Sequence, residues 1–226
     1  MSKVRTYARN LLANWVGYGA NLAVMFFVSP FIVHSLGDTA YGVWSLLVSL
    51  SGYLGLVELG TRAALGRHIT FYLGRKDIPK VNGFINTAMT FFLLAGLGLL
   101  AAAAVLGVFF DSLFTKVPTE LVGSARLVIL LVAGQLWLLL LMAAFAQVLI
   151  AFERFDLINV LGLSLLAVRT AGIVGVLRVG GGIVELAVAQ FSCSAIEALI
   201  TGLLARRVFP EMRLRLRLAT KALFWE

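Results

Sequence analysis

Long apolar segments separated by short polar linkers dominate the pattern of this chain. Each segment approaches or exceeds the ~20 residues that an α-helix needs to cross the hydrocarbon core of a bilayer. The segments are continuous rather than alternating with a period of two, which favours helices over strands. We therefore predict an all-α, polytopic membrane helix bundle. It forms a single lobe over 1–226 with six transmembrane helices, at about 11–33, 41–64, 84–110, 121–151, 157–177 and 183–204.

The linkers that carry most of the basic residues alternate along the chain, and this sets the predicted orientation. If the N-terminus is cytoplasmic, the 75–80 linker, Arg154 and a basic tail at 205–226 share that side, and the outer linkers hold only Lys116 and Arg178. Because Lys and Arg collect in cytoplasmic loops, we predict that both termini are cytoplasmic. Arg and Leu alternate over 213–218 in the tail. We interpret this as an interfacial segment with snorkelling arginines, with a β-strand as the less favoured alternative.

Composition agrees with a membrane protein and excludes several other classes. The chain is 61% hydrophobic and 13% charged, whereas soluble domains are about a quarter charged. The net charge of +8 needs no nucleic-acid partner, because no basic patch with interleaved aromatics occurs in a soluble segment. The lone Cys193 and the distant His34 and His68 predict no metal site and no cofactor. The common hydrolase and phosphate-loop motifs are missing from the sequence, so we expect no catalytic residues and no enzyme activity.

Charged residues inside the predicted spans are the candidates for chemistry, because a charge in the middle of a bilayer is costly and usually faces the bundle interior. Glu58 and Arg62 lie four residues apart in predicted span two, on one helix face. Two interpretations are open: an internal salt bridge that neutralises both groups, or the wall of a site in which Arg62 meets an anionic ligand.

Arg169 lies near the middle of predicted span five and has no acid within one helical turn. It either lines a cavity or forms an interhelical pair, for which Glu197 in predicted span six is the candidate. Arg126 lies closer to the outer end of span four, where snorkelling to the interface would also explain it.

Four stretches, in this order, resemble a known family. The first span ends in Pro-Phe-Ile-Val at 30–33, Leu-Gly-Asp-Thr-Ala-Tyr-Gly-Val-Trp-Ser-Leu follows at 36–46, Val-Glu-Leu-Gly-Thr-Arg-Ala-Ala-Leu at 57–65, and Tyr-Leu-Gly-Arg-Lys-Asp at 72–77. This order is similar to the polysaccharide biosynthesis or oligosaccharide flippase family. That family includes Wzx-type O-antigen flippases, within the multidrug/oligosaccharidyl-lipid/polysaccharide exporter superfamily. The likeness is strongest in the first ~80 residues.

The resemblance implies a protein of the bacterial cytoplasmic (inner) membrane that moves undecaprenyl-diphosphate-linked oligosaccharides by alternating access between two lobes. Its partners would be membrane lipids and the lipid-diphosphate-linked oligosaccharide, as in O-antigen or exopolysaccharide synthesis. Since arginine binds phosphate through bidentate contacts, we assign a cationic cavity and its associated groups as follows: Arg169, Arg62 and Arg126 in the cavity, Glu58 and Glu197 as coupling acids or charge partners, and Arg67, Arg75 and Lys76 at a cytoplasmic entry.

The span count departs from the family pattern, in which twelve or more spans form two lobes. We expect the chain to be a fragment that corresponds to the N-terminal lobe, with pairing to a second six-helix chain as the alternative. Three other functions stay open. They are a drug or cation antiporter lobe that uses Glu58 or Glu197 as its coupling acid, a membrane glycosyltransferase or polymerase, and a non-transporting membrane scaffold.

Overall fold

The chain is helical along almost all of the part that the structure describes. The structure is a computed structural model that describes residues 3–54 and 58–215, with side chains at 15, 17–49 and 60–215. The helices are α1 (Lys3–Leu54), α2 (Glu58–Gly74), α3 (Ile78–Val108), α4 (Phe110–Leu113), α5 (Thr119–Ala151), α6 (Phe155–Arg178) and α7 (Ile183–Val208). The prediction of an all-α, polytopic membrane bundle is confirmed.

Five helices of the described part are long and apolar enough to cross a membrane: residues 17–49 of α1, and α3, α5, α6 and α7. The difference from six predicted spans arises at the start of the chain. Predicted spans one and two meet inside α1, and the second is then divided between α1 and the 17-residue α2. Residues 55–57, between these two helices, lie outside the described part. The division into six spans stays a prediction.

A single residue replaces the predicted linker at 36–39. Gly37 has φ 76° and ψ 162°, and the residues on both sides of it are helical, so α1 consists of two arms that meet at a bend. This backbone region is open almost exclusively to glycine. The bend therefore depends on the missing side chain of Gly37.

Two other boundaries differ from the predicted ones for local reasons. α3 begins at Ile78 rather than near residue 84, because the Asp77 side chain accepts a hydrogen bond from the Lys80 amide at 3.2 Å and Pro79 fits the first turn. α7 continues through Arg206 and Arg207 to Val208, where basic side chains complement the helix dipole. The first four residues of the predicted tail are thus helical.

The helices pack around α5, which contacts α7 and α3 most extensively and also touches α1, α2 and α6. Close approach depends on small residues, as is common in membrane bundles. Gly96 of α3 lies directly against the indole ring of Trp137 of α5. Gly134 of α5 lies against Phe191 of α7, whose Cε2 atom is 2.9 Å from the position that a Cβ would take.

Two apolar clusters of buried residues mark the two ends of the bundle. One joins the second arm of α1 to Phe110, α5, Leu177 and Ile183. We call this the bend end, since Gly37 and the 109–118 connection lie there. The other cluster joins Tyr72, Val81, Val148 and Met212. We call it the basic end, because the α2–α3 and α5–α6 turns and the end of α7 gather their Lys and Arg residues there.

Candidate functional site

Arg169 and Glu197 form an ion pair between two neighbouring helices. A terminal nitrogen of Arg169 on α6 donates to a carboxylate oxygen of Glu197 on α7 at 3.1 Å, and the side chains are 32% and 19% exposed. Both residues lie well inside their helices, so the pair sits within the apolar part of the bundle. Of the two sequence-based interpretations of Arg169, the structure thus provides the interhelical pair, and the Arg169 side chain stays partly exposed.

Two polar groups at or near this ion pair have no hydrogen-bond partner in the described part of the chain. The Nε atom of Arg169 is buried and has no hydrogen-bond partner within the described part of the chain, and the same holds for the hydroxyl of Ser194. Ser194 lies three residues before Glu197 on α7, one turn away on the same face. Buried polar atoms without partners are rare in folded proteins. Each of these two groups therefore keeps the capacity for a further hydrogen bond.

Arg126 lies at the bend end and has a different partner. One of its terminal nitrogens donates to both carboxylate oxygens of Asp111, each at 3.0 Å. The side chains of Arg126 and Asp111 are 44% and 60% exposed. This arrangement fits an arginine that snorkels to the interface better than an arginine that shares a cavity with Arg169, because each of the two arginines is paired with its own acid.

Arg62 is half-buried on α2, a helix that packs against α3 and α5. The side chain of Glu58 lies outside the described residues, so the predicted pair of Glu58 with Arg62 stays a prediction. The structure places the three arginines of the predicted cavity on three different helices, α2, α5 and α6. The shared cationic cavity also stays a prediction.

The residues predicted for a cytoplasmic entry lie at or near the basic end. Arg67 lines a cavity of about 170 Å³ between α2 and α3, next to His68. The imidazole of His68 stacks on the Phe84 ring with centroids 4.5 Å apart. The guanidinium of Arg75 lies 4.2 Å from the centre of the Phe71 ring, a cation–π contact. Lys76 has a positive φ of 57° in the turn that ends α2.

Arg154, in the α5–α6 turn, adds a further cation to the basic end. It donates two hydrogen bonds to the carboxylate of Asp156, at 3.0 and 3.1 Å. The hydrogen bond to Asp156 raises the pKa of the Arg154 guanidinium above its ordinary value.

Two asparagines that the sequence analysis did not single out hold the residues after α7. Asn82 and Asn86 are buried on α3, and their side chains bind the main chain of 211–215. Asn82 donates to the Glu211 carbonyl at 3.0 Å and accepts from the Arg213 amide at 2.6 Å. Asn86 donates to the Arg213 carbonyl at 2.6 Å and accepts from the Arg215 amide at 2.7 Å.

The spacing of the two side chains explains why this arrangement works, and we name it the asparagine clamp. Four residues of α-helix rise about 6 Å, and two residues of extended chain span about 6.7 Å. The two asparagines therefore meet successive main-chain groups of the segment that face α3. Residues 212–215 have no regular secondary structure, but the main-chain groups that bind the two asparagines alternate along the segment as in an extended chain. The interfacial interpretation of the tail stays a prediction. Two asparagines four residues apart at the start of an apolar span were the available signal.

Metal ligands do not gather in the part of the chain that the structure describes, where no group of three or more His, Cys, Asp or Glu side chains could hold a metal ion. The charged groups there are instead arginines, lysines and their acidic partners. The chemistry that this arrangement can support is the binding of anionic groups.

The helices and their charges define a polytopic helical membrane protein. The chain is similar to the uncharacterized membrane protein EpsK of Bacillus subtilis (strain 168), with 27% identity over 136 residues. The match covers 60% of this chain and 27% of that protein, so the chain spans only about a quarter of the length of this curated relative. No family model and no solved structure matches the chain.

Proposed function

We propose that this chain is one lobe, the N-terminal one, of a flippase for lipid-linked oligosaccharides. It would translocate undecaprenyl-diphosphate-linked sugars across the bacterial cytoplasmic membrane by alternating access. Further chain or a second six-helix protein would supply the other lobe. The order of stretches between 30 and 77 supports this assignment, as does the similarity to a longer membrane protein.

The observation that carries the proposal is the position of Arg169. A permanent cation near the middle of a span is costly, and here it is paired with Glu197 at 3.1 Å while its side chain stays 32% exposed. A diphosphate that crosses the membrane needs fixed positive charge along its path. In the proposed mechanism, Glu197 holds Arg169 in place without substrate, and the diphosphate competes for the guanidinium when it enters.

The basic end would be the side from which the substrate enters. Arg67, Arg75 and Lys76 lie there, and the positive-inside rule predicts that this end faces the cytoplasm. An anionic headgroup would meet these cations first and then transfer towards Arg169. Arg126 contributes less in this scheme, because Asp111 already occupies it at the opposite end.

Complementation tests the proposal. The gene for this chain, with any in-frame continuation, is expressed in a strain that lacks its own polysaccharide flippase, and surface polysaccharide is measured. We expect restoration by the wild type and loss with Arg169→Ala at equal membrane abundance. Arg178→Gln is the matched control, since Arg178 is an exposed cation at the end of the same helix and should leave restoration unchanged.

A charge swap separates a substrate role from a structural one. The double variant Arg169→Glu with Glu197→Arg keeps an ion pair between α6 and α7, and so keeps the fold, but moves the cation to the other helix. We expect a stable protein that does not restore polysaccharide. Full restoration by the swap, or by Arg169→Ala, would refute the role of Arg169. Labelled lipid-linked sugar distinguishes the other classes: an enzyme would extend it, a scaffold would leave it in place, and a flippase would relocate it.

A further inference from the structure

The asparagine clamp does more than hold a chain end, because it fixes which side chains of the tail face outward. The main chain of 211, 213 and 215 faces α3 through the four hydrogen bonds to Asn82 and Asn86. In an extended chain, alternate side chains point to opposite faces. Arg213 and Arg215 therefore share one face, about 6.7 Å apart.

Burial along the segment separates Met212 from the two arginines, while Leu214, on the same face as Met212, is 48% exposed. Met212 is 5% exposed and belongs to the apolar cluster at the basic end, which anchors the opposite face of the segment. Arg213 and Arg215 are both exposed. The clamp thus converts a flexible pair of arginines into a row with fixed spacing.

Other cations lie at the same end of the bundle. Arg206 and Arg207 occupy the last turn of α7. Lys80 lies in the first turn of α3. The acids at this end are Glu211, Asp77, Glu153 and Asp156. Asp77 is engaged as the cap of α3, and Asp156 is paired with Arg154. Positive charge therefore predominates around the clamped segment.

We propose that the clamped segment 211–215 is a docking edge for anionic phospholipid headgroups, with Arg213 and Arg215 as the contacts and Asn82 and Asn86 as the positioning residues. A basic residue close to an anionic membrane surface contributes about 1 kcal/mol of binding. Because the clamp has already ordered the backbone, headgroup binding costs less conformational entropy than it would for a free tail. By linkage, anionic lipid must in turn stabilise the clamp. This inference does not depend on the proposed transport.

Amide hydrogen exchange tests the proposal directly, since the Arg213 and Arg215 amides are themselves donors in the clamp. The full chain is placed in nanodiscs of phosphatidylcholine alone, or of equal parts phosphatidylcholine and phosphatidylglycerol. We expect both amides to be protected in either lipid. In the anionic lipid, exchange should be slower by a further factor of up to about five to thirty, the full value corresponding to one to two arginine contacts made only in the clamped state.

Two double variants assign the effect. Arg213→Gln with Arg215→Gln should keep the protection seen in phosphatidylcholine and lose the increment from phosphatidylglycerol, because both amides remain while the charges are gone. Lys116→Gln with Arg178→Gln removes the same charge at the bend end and should keep the increment. Asn82→Leu with Asn86→Leu should accelerate exchange roughly tenfold or more in both lipids.

Several outcomes would overturn the proposal. Equal exchange in the two lipids would refute the docking edge, as would an equal loss of the increment in the bend-end variant, which would indicate a general charge effect. The same increment from inorganic phosphate added to phosphatidylcholine nanodiscs would show an anion site rather than membrane docking. Unprotected amides in every lipid would refute the clamp itself, and this readout needs no variant that could fail to fold.

Discussion

Replacing Gly96 by alanine tests the packing between α3 and α5 at its closest point. A Cβ on Gly96 would overlap three atoms of the Trp137 ring, namely Cγ, Cδ1 and Nε1. Such an overlap requires the indole or the helix to move. Gly98, two residues along the same helix, has nothing within 4 Å of its Cβ position. The two glycines are therefore a matched pair, because only Gly96 lies against a side chain of the neighbouring helix.

The expected magnitude follows from two opposing terms. Alanine is favoured over glycine inside a helix by about 1 kcal/mol, and this term applies to both positions. Overpacking typically costs about 1–3 kcal/mol, and this term applies to Gly96 alone. Gly98→Ala should leave the free energy of unfolding unchanged or slightly higher. Gly96→Ala should be about 1–3 kcal/mol less stable than Gly98→Ala, a difference in which the propensity term cancels.

The assay is reversible unfolding of the purified protein in mixed micelles, followed by circular dichroism. A double-mutant cycle supplies the control: Trp137→Leu removes the overlapping ring atoms, so Gly96→Ala should cost much less in that background. The indole N–H of Trp137 is buried without a partner in the described part of the chain, so the substitution leaves no hydrogen-bond acceptor unsatisfied. Equal stability of the Gly96 and Gly98 variants would refute the close contact.

Three further predictions use the same unfolding assay. Glu197→Leu should lower the free energy of unfolding by about 1–2 kcal/mol, because it leaves an unpaired cation in the bundle. The double variant Arg169→Leu with Glu197→Leu should lower it less, and a larger loss in the double variant would contradict the ion pair. Asp111→Asn should cost less than about 1 kcal/mol, since its pair with Arg126 is exposed, and a larger loss would show that the pair is shielded from solvent. Gly37→Ala should cost about 1–3 kcal/mol from backbone strain at φ 76°, and an unchanged stability would show that the bend relaxes freely.

The architecture was predictable from the sequence because long apolar segments have few structural solutions in a membrane. The helical structure and the positions of α5, α6 and α7 followed from hydropathy alone, and the predicted helix ends lie within about four residues of the observed ends. The boundaries that differed depend on single residues, through a side-chain cap at Asp77 and a backbone conformation at Gly37. An apolar pattern does not encode either of them.

The candidate site was only partly accessible from sequence. The pairing of Glu197 with Arg169 could be anticipated, because a tight glycine-rich turn makes α6 and α7 antiparallel neighbours. The pairing of Arg126 with Asp111 could not be anticipated, since Asp111 belongs to α4, a short helix within a predicted loop. The clamp was missed because Asn82 and Asn86 are uncharged, and their role depends on a segment about 130 residues further along the chain.

That separation has a consequence for the order in which the protein assembles during synthesis. α3 enters the membrane with the polar groups of Asn82 and Asn86 already in place, and their partners at 211–215 are translated only after four more helices. Until then, the two amides must be solvated by water or lipid headgroups at the surface. The hydrogen bonds of the clamp can therefore form only after α7 has been translated.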